Sequence, residues 1–82
     1  TLGIMPDFAG NVQNGLRADF VTPGKPAQIG GMKKGDIIIA INGMAVNNIQ
    51  DYMFRLSKMD HGETINVEIL REGKKELLLI KL

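Results

Sequence analysis

The sequence predicts a small α+β domain in which a curled antiparallel β-sheet is capped by two helices. Short apolar segments alternate with turn signals along most of the chain. The run 37–41 is apolar at every position, and segment 49–58 carries apolar residues at helical spacing. We expect a partly open barrel, with one short and one longer helix covering its open ends.

Length and charge restrict what this chain can be. Its 82 residues allow one domain, 1–82. Because the chain begins at Thr1 on what looks like a strand approach, we expect it to be excised from a longer protein. The net charge of +1 excludes strong electrostatic capture of nucleic acid or of an anionic membrane. The absence of cysteine excludes disulfides, thiolate metal sites and a cysteine nucleophile.

The first half of the chain contains the strands expected to build the sheet. A short apolar segment, 2–5, ends at Pro6, and a loop rich in Asn and Gly covers 9–15. Residues 16–21 alternate as a strand, with Leu16, Ala18 and Phe20 on one face. After a single helical turn at 26–29, residues 36–41 are apolar on both faces, which favours a central, doubly buried strand.

The second half begins with a turn and a helix. Asn42-Gly43 is a strong two-residue turn signal, followed by a short strand return at 45–46. Asn48 can cap a helix that runs from about Ile49 to Lys58, with Asp51 near the positive end of its dipole. Segments 64–70 and 76–82 predict an antiparallel hairpin.

Residues 22–43, TPGKPAQIGGMKKGDIIIAING, resemble the signature of a PDZ domain, loosely PGxPAxxAGLxxGDxIxxINGxxV. The chain departs mildly from it at Gly30, where Ala is usual, and at Met32, where Leu is usual. The triplet Leu2-Gly3-Ile4 resembles the family's carboxylate-binding loop. The resemblance therefore covers essentially the whole chain.

The position of that triplet at the N-terminus resembles the permuted PDZ domains of bacterial proteases. Segments 2–8, 25–27 and 51–53 are similar to the PDZ domain appended to secreted zinc aminopeptidases of metallopeptidase family 28. This resemblance implies a periplasmic, secreted or cell-envelope location. It also implies that any zinc and peptidase chemistry belongs to a part of the parent protein that is absent here.

A PDZ-like site binds a peptide by adding it as a strand to a sheet edge. The resemblance implies that Ile4 and Met5 offer this edge, and that the N–H groups of Leu2, Gly3 and Ile4 hold a terminal carboxylate. Pro6 cannot donate to a ladder, so it either shortens the binding strand to Ile4–Met5 or falls at a bulge or an outward-facing position. The structural alternative is that Leu2 and Ile4 are core residues and Gly3 is a turn.

The helix face supplies the side of the expected groove. Ile49, Met53 and Leu56 are the candidate peptide-binding residues there, with Tyr52 or Phe54 alongside. These apolar side chains predict peptide or protein C-termini with an apolar last residue as ligands. Core packing alone is the alternative for Met53 and Leu56.

We expect no enzyme, no cofactor and no metal in this chain. His61 is the single histidine, Ser57 has no His and Asp partners, and Asp36 is expected to bond nearby backbone N–H groups. The main hypothesis is a peptide-binding module that regulates, or guides substrate to, an attached bacterial peptidase domain. The alternative is a structural, intramolecular docking or dimerisation domain with an unused groove. A weak homodimer through the free edge at Ile4–Met5 is a further expectation.

Overall fold

The computed structural model describes residues 2–10 and 12–82, which form a six-stranded antiparallel sheet with two helices. The elements, in chain order, are β1 (Ile4–Pro6), β2 (Leu16–Val21), α1 (Pro26–Ile29), β3 (Ile37–Ile41), β4 (Met44–Ala45), α2 (Ile49–Ser57), β5 (Thr64–Arg71) and β6 (Lys74–Lys81). The strand order is β1-β2-β3-β5-β6, with β4 paired to β3. The α+β class is confirmed, and the sheet is open, with β1 and β6 at its edges.

The inner face of the sheet forms the core. In β5 the period of two is regular, so Ile65, Val67 and Ile69 are fully buried as predicted. Strand β3 lies between β2 and β5, as predicted, but Ile37 is only half-buried. It lies on the outer face of the sheet, where Leu77 of β6 is 60% exposed. The prediction of a doubly buried strand was therefore wrong for this face.

Strand β2 departs from simple alternation at its end. Phe20 was expected to share the buried face of Leu16 and Ala18, but it is 48% exposed. The reason is a register shift: Met5 pairs with Phe20, whereas Pro6 pairs with Ala18, so Asp19 is an extra residue opposite β1. The extra residue turns Phe20 to the outer face.

Helix α2 begins as the sequence predicts. The side chain of Asn48 accepts a hydrogen bond from the Asp51 N–H at 2.8 Å, and the Asp51 carboxylate accepts one from the Asn47 N–H at 3.0 Å. The helix ends at Ser57, and Lys58 is its C-cap. Neither helix in the described ranges is long and apolar enough to cross a membrane.

Asp36 holds the segment between α1 and β3 against β5. Its carboxylate is 2% exposed and accepts a hydrogen bond from the Lys33 N–H at 2.8 Å. Arg71 donates to it from Nε at 2.9 Å and from Nη2 at 2.7 Å, and Nη2 also donates to the Gly31 carbonyl. The hydrogen bonding with the Asp36 carboxylate raises the pKa of Arg71, which stays charged. The predicted structural role of Asp36 is confirmed, and Arg71 is its unpredicted partner.

We expect Asp36→Ala to lower the free energy of unfolding by about 2–4 kcal/mol, because it leaves the Lys33 N–H and the Arg71 guanidinium without their acceptor. Glu76→Ala is the control, since Glu76 lies 3.8 Å from Arg71 but its side chain is 46% exposed. That control should change stability by less than about 0.5 kcal/mol. Urea denaturation measures both, and equal losses would show that Asp36 is not the anchor.

Candidate functional site

Strand β1 leaves one row of backbone groups open at the edge of the sheet. The Thr22 N–H donates to the Gly3 carbonyl at 2.9 Å, and the Asp7 N–H donates to the Arg17 carbonyl at 2.9 Å. Backbone groups of successive residues alternate sides in an antiparallel ladder. The Gly3 carbonyl, the backbone groups of Met5 and the Asp7 N–H therefore face β2. Ile4 and Pro6 turn theirs outwards.

This alternation corrects the expectation that Ile4 and Met5 together offer the edge. Only Ile4 presents both an N–H and a carbonyl outwards, because the backbone groups of Met5 face β2. The Met5 side chain is 57% exposed and lies beside Phe20 on the outer face of the sheet. Pro6 is part of β1, and it lies both at the register shift and at an outward-facing position.

The expected carboxylate-binding loop is a turn anchored by a buried side chain. Leu2 is fully buried in the core, and its carbonyl accepts a hydrogen bond from the Ala27 N–H at 2.9 Å. Gly3 has a φ of +83°, and it lies against the side chain of Lys25. The alternative prediction that Leu2 is a core residue and Gly3 a turn is thus correct for these two residues. Anion binding by the N–H groups of Leu2, Gly3 and Ile4 stays a prediction.

A groove of about 450 Å³ lies between β1 and α2. Four of the predicted residues meet in it, namely Ile4, Ile49, Met53 and Leu56. The predicted residues Leu2, Gly3 and Met5 do not line it. Of the two flanking aromatic candidates, Tyr52 lines the groove. Phe54 does not; it lies against Lys58, whose Nζ is 5.1 Å from the ring centre.

Three further residues complete the groove, and sequence reasoning did not name them as lining residues. They are Pro6, Phe8 and Ser57. Ile4, Pro6 and Phe8 are spaced by two, which is the strand period, so this spacing was an available signal. Ser57 lies one residue beyond Leu56, at the end of α2.

The groove is apolar and uncharged along its helix side. Tyr52 is 8% exposed, and burial raises its pKa to about 12, so its phenol is neutral at physiological pH. The Cβ and Cγ atoms of the exposed Lys25 side chain lie against Gly3, where β1 begins. The nearest cationic side chain on this side of the turn therefore belongs to a residue that packs on the expected carboxylate-binding loop.

A second, more polar cavity of about 500 Å³ adjoins the other end of the groove and shares Phe8 and Ile49 with it. Its lining includes the amide side chains of Gln13, Asn14, Asn47, Asn48 and Gln50. No pattern in the sequence predicted this cavity. A chain that leaves the apolar groove at this end therefore meets hydrogen-bonding groups.

The geometry at Gly3 decides what a substitution there would do. An added Cβ would overlap the Cβ of Lys25 and lie 2.8 Å from its Cγ, and the φ of +83° disfavours any side chain. Substitution at Gly3 therefore strains the fold itself.

We expect Gly3→Ala to lower the free energy of unfolding by about 3 kcal/mol, from the left-handed φ and the overlap with Lys25 together. Gly24→Ala is the control, because Gly24 has a φ of +77° but nothing within 4 Å of an added Cβ. It should lower stability by about 1–2 kcal/mol. Thermal and urea unfolding compare the two variants, and equal losses would contradict a close approach at Gly3.

The PDZ domain family model matches residues 8–82. A probable periplasmic DegP-like serine endoprotease of Bartonella henselae is 39% identical over 57 residues, which is 70% of this chain and 11% of the relative. The serine protease Do-like HtrA of Bacillus subtilis is 33% identical over 85 residues, covering 100% of this chain and 18% of the relative. The chain thus spans less than a fifth of these relatives.

Solved structures share the fold. The HtrA3 PDZ domain bound to a phage-derived ligand, FGRWV, has a TM-score of 0.82 at 23% identity, over 99% of this chain and 82% of that one. An aminopeptidase N family protein of Idiomarina loihiensis has a TM-score of 0.86 at 22% identity, over 98% of this chain and 13% of that one. At these identities the likeness concerns the fold alone. The two relatives described are serine proteases and give no support to the predicted zinc aminopeptidase parent.

The open edge of β1, the apolar groove beside α2 and the family match over residues 8–82 agree. The chain belongs to the PDZ domain family and is a non-catalytic, peptide-binding module related to the PDZ domains of HtrA and DegP serine proteases.

Proposed function

We propose that this domain captures the C-terminal segment of a peptide or protein by adding it as a strand to β1, and that it regulates, or guides substrate to, an attached bacterial protease. The observation that carries the proposal is the outward-facing backbone of Ile4 beside the apolar groove. The HtrA3 PDZ domain, which has the same fold, was solved with a peptide ligand.

The direction of the ligand follows from the direction of β1. An antiparallel ligand runs against the order Ile4 to Pro6, so its C-terminus lies at the Gly3 end. There the N–H groups of Leu2, Gly3 and Ile4 are the proposed donors to its carboxylate. Lys25 adds a positive charge at the same end. Hydrogen bonds to an ionised acceptor are about twice as strong as neutral ones.

The strand period decides which ligand side chains enter the groove. Alternate side chains of an added strand point to the same face, so the last residue and the one two positions upstream face α2. Both meet apolar walls: Met53 and Leu56 lie towards the C-terminal end of α2, and Ile49 lies at its start. We therefore propose an apolar last residue, such as Leu, Val, Ile, Ala or Phe. The flexible Met53 lets the groove adapt to its size.

The nature of the parent protein is a separate proposal. The DegP-like and HtrA-like relatives favour a serine protease, and the periplasmic name of one favours a periplasmic or cell-envelope location. A zinc aminopeptidase parent depends on the resemblance of segments 2–8, 25–27 and 51–53 alone. A weak homodimer through the β1 edge also stays a prediction, which analytical ultracentrifugation would test.

Met53→Gln should weaken binding of a peptide with an apolar C-terminus by about tenfold, because the substitution places an amide in an apolar wall at nearly unchanged size. Phe54→Gln is the matched control. Both residues are exposed on α2, at 63% and 55%, and Phe54 does not line the groove. Isothermal titration measures both variants, and equal effects would remove Met53 from the site.

Peptides with free carboxylates should bind with micromolar affinity, as expected for a small interface. We would titrate the ¹⁵N-labelled domain with pentapeptides Gly-Ser-Ala-Ala-Xaa, where Xaa is Leu, Val, Ile, Ala or Phe, and with FGRWV. Amide shifts should map to residues 2–5 and 49–56 and disappear when the peptides are amidated. If no peptide in the set shifts these amides, the groove is unused and the structural role replaces this proposal.

A further inference from the structure

Pro6 occupies the second of the two outward-facing positions of β1. Its partner position across the sheet is Ala18, and the next residue, Asp7, donates its N–H to the Arg17 carbonyl. The groups at position 6 that face a ligand are therefore a carbonyl and a ring nitrogen without a hydrogen. The open edge offers three ladder groups: the Ile4 N–H, the Ile4 carbonyl and the Pro6 carbonyl.

The residues of an added strand consequently form different numbers of hydrogen bonds with β1. The ligand residue opposite Ile4 can form two ladder hydrogen bonds. The residue opposite Pro6, two positions upstream, can donate its N–H to the Pro6 carbonyl, but its own carbonyl meets the proline ring. A polar group that loses water and gains no partner opposes binding.

The ladder of hydrogen bonds between β1 and a ligand also cannot continue from Ile4 towards Gly3 and Leu2. The φ of +83° at Gly3 bends the chain away, and the Leu2 carbonyl is already bonded to the Ala27 N–H. An internal segment that passes through the groove thus gains at most three ladder bonds and leaves one carbonyl unbonded. A chain end gains the same three bonds, with one carboxylate oxygen as the acceptor of the Ile4 N–H. Its second oxygen and its negative charge would lie at the N–H groups of Leu2 and Gly3, next to which the Lys25 side chain packs.

We propose that Pro6 limits the affinity of this groove for every ligand, so that only a chain end, whose carboxylate adds a charged acceptor, binds measurably. The missing bond is the same for free, amidated and internal ligands, so Pro6 sets the level of affinity and the carboxylate distinguishes between them. The inference rests on the proposed function and specifies which ligands reach measurable binding.

Pro6→Val tests this role, because valine restores the N–H and keeps an apolar side chain in the groove wall. Pro23→Val is the control: Pro23 lies in the exposed turn after β2, so it matches the loss of a proline without changing the edge. Each protein is titrated with the pentapeptide set in three forms, namely free, amidated, and extended at the C-terminus by Gly-Ser-Gly with an amidated end.

For the unsubstituted domain we expect the free peptides to bind at least tenfold more tightly than the amidated and extended forms. Pro6→Val should tighten all three forms by about three- to tenfold, as one added hydrogen bond would, and bring the amidated and extended forms into measurable range. Pro23→Val should change none of them. Hydrogen exchange adds a direct readout: the new amide at position 6 should exchange freely without peptide and at least tenfold more slowly with it.

Two kinds of result overturn the proposal for different reasons. If free peptides bind but Pro6→Val does not tighten their binding, residue 6 does not face the ligand and the proposed function still stands. The same holds if the amide at position 6 is already protected without peptide. Equal binding of free, amidated and extended peptides to the unsubstituted domain would overturn this inference and also the carboxylate capture in the proposed function. If no peptide binds either protein while both remain folded, the proposed function itself fails.

Discussion

The turn at Leu2 and Gly3 is the constraint on which the rest of the site depends. A fully buried Leu2 fixes the chain in the core, and the left-handed φ of Gly3 then redirects it into β1. The hydrogen bonds from Ala27 to Leu2 and from Thr22 to Gly3 hold both sides of that turn. Because the turn is fixed, the alternation of backbone groups along β1 is fixed as well. The N–H and carbonyl of Ile4 therefore point away from β2.

The anchoring of this turn reaches across the domain to β5. Arg71 holds Asp36 and the Gly31 carbonyl, and the Met32 N–H donates to the Ala27 carbonyl at the other end of the same segment. Ala27 in turn donates to Leu2. A buried carboxylate far from the groove therefore helps to position the loop where a ligand terminus would lie, because α1 stands between them and is only four residues long.

The helices, most of the strands and four groove residues could be predicted from the sequence. Which backbone groups of β1 face outwards could not. The helix cap at Asn48 and the alternation of Ile65, Val67 and Ile69 are local signals, and both were correct. The exposed Phe20 depends on a register shift between β1 and β2, and the inward-facing backbone of Met5 depends on the hydrogen bond between Thr22 and Gly3. Both are contacts between separate strands, which the residues of one strand do not predict. Phe8 was missed because the spacing of two was not followed beyond Pro6.

Stability and ligand contact fall on separate residues in one part of the groove and on shared residues in another. An 82-residue chain has little stability to spare. The outward backbone of Ile4 is unpaired in the sheet, while Met53 and Phe8 are 63% and 73% exposed. Tyr52 is buried in the core and also lines the groove, and the side chains of Ile4, Ile49 and Leu56 line the groove while packing against the core. Specificity can therefore change at positions such as Met53 with little effect on folding, whereas a change at Tyr52 alters both properties.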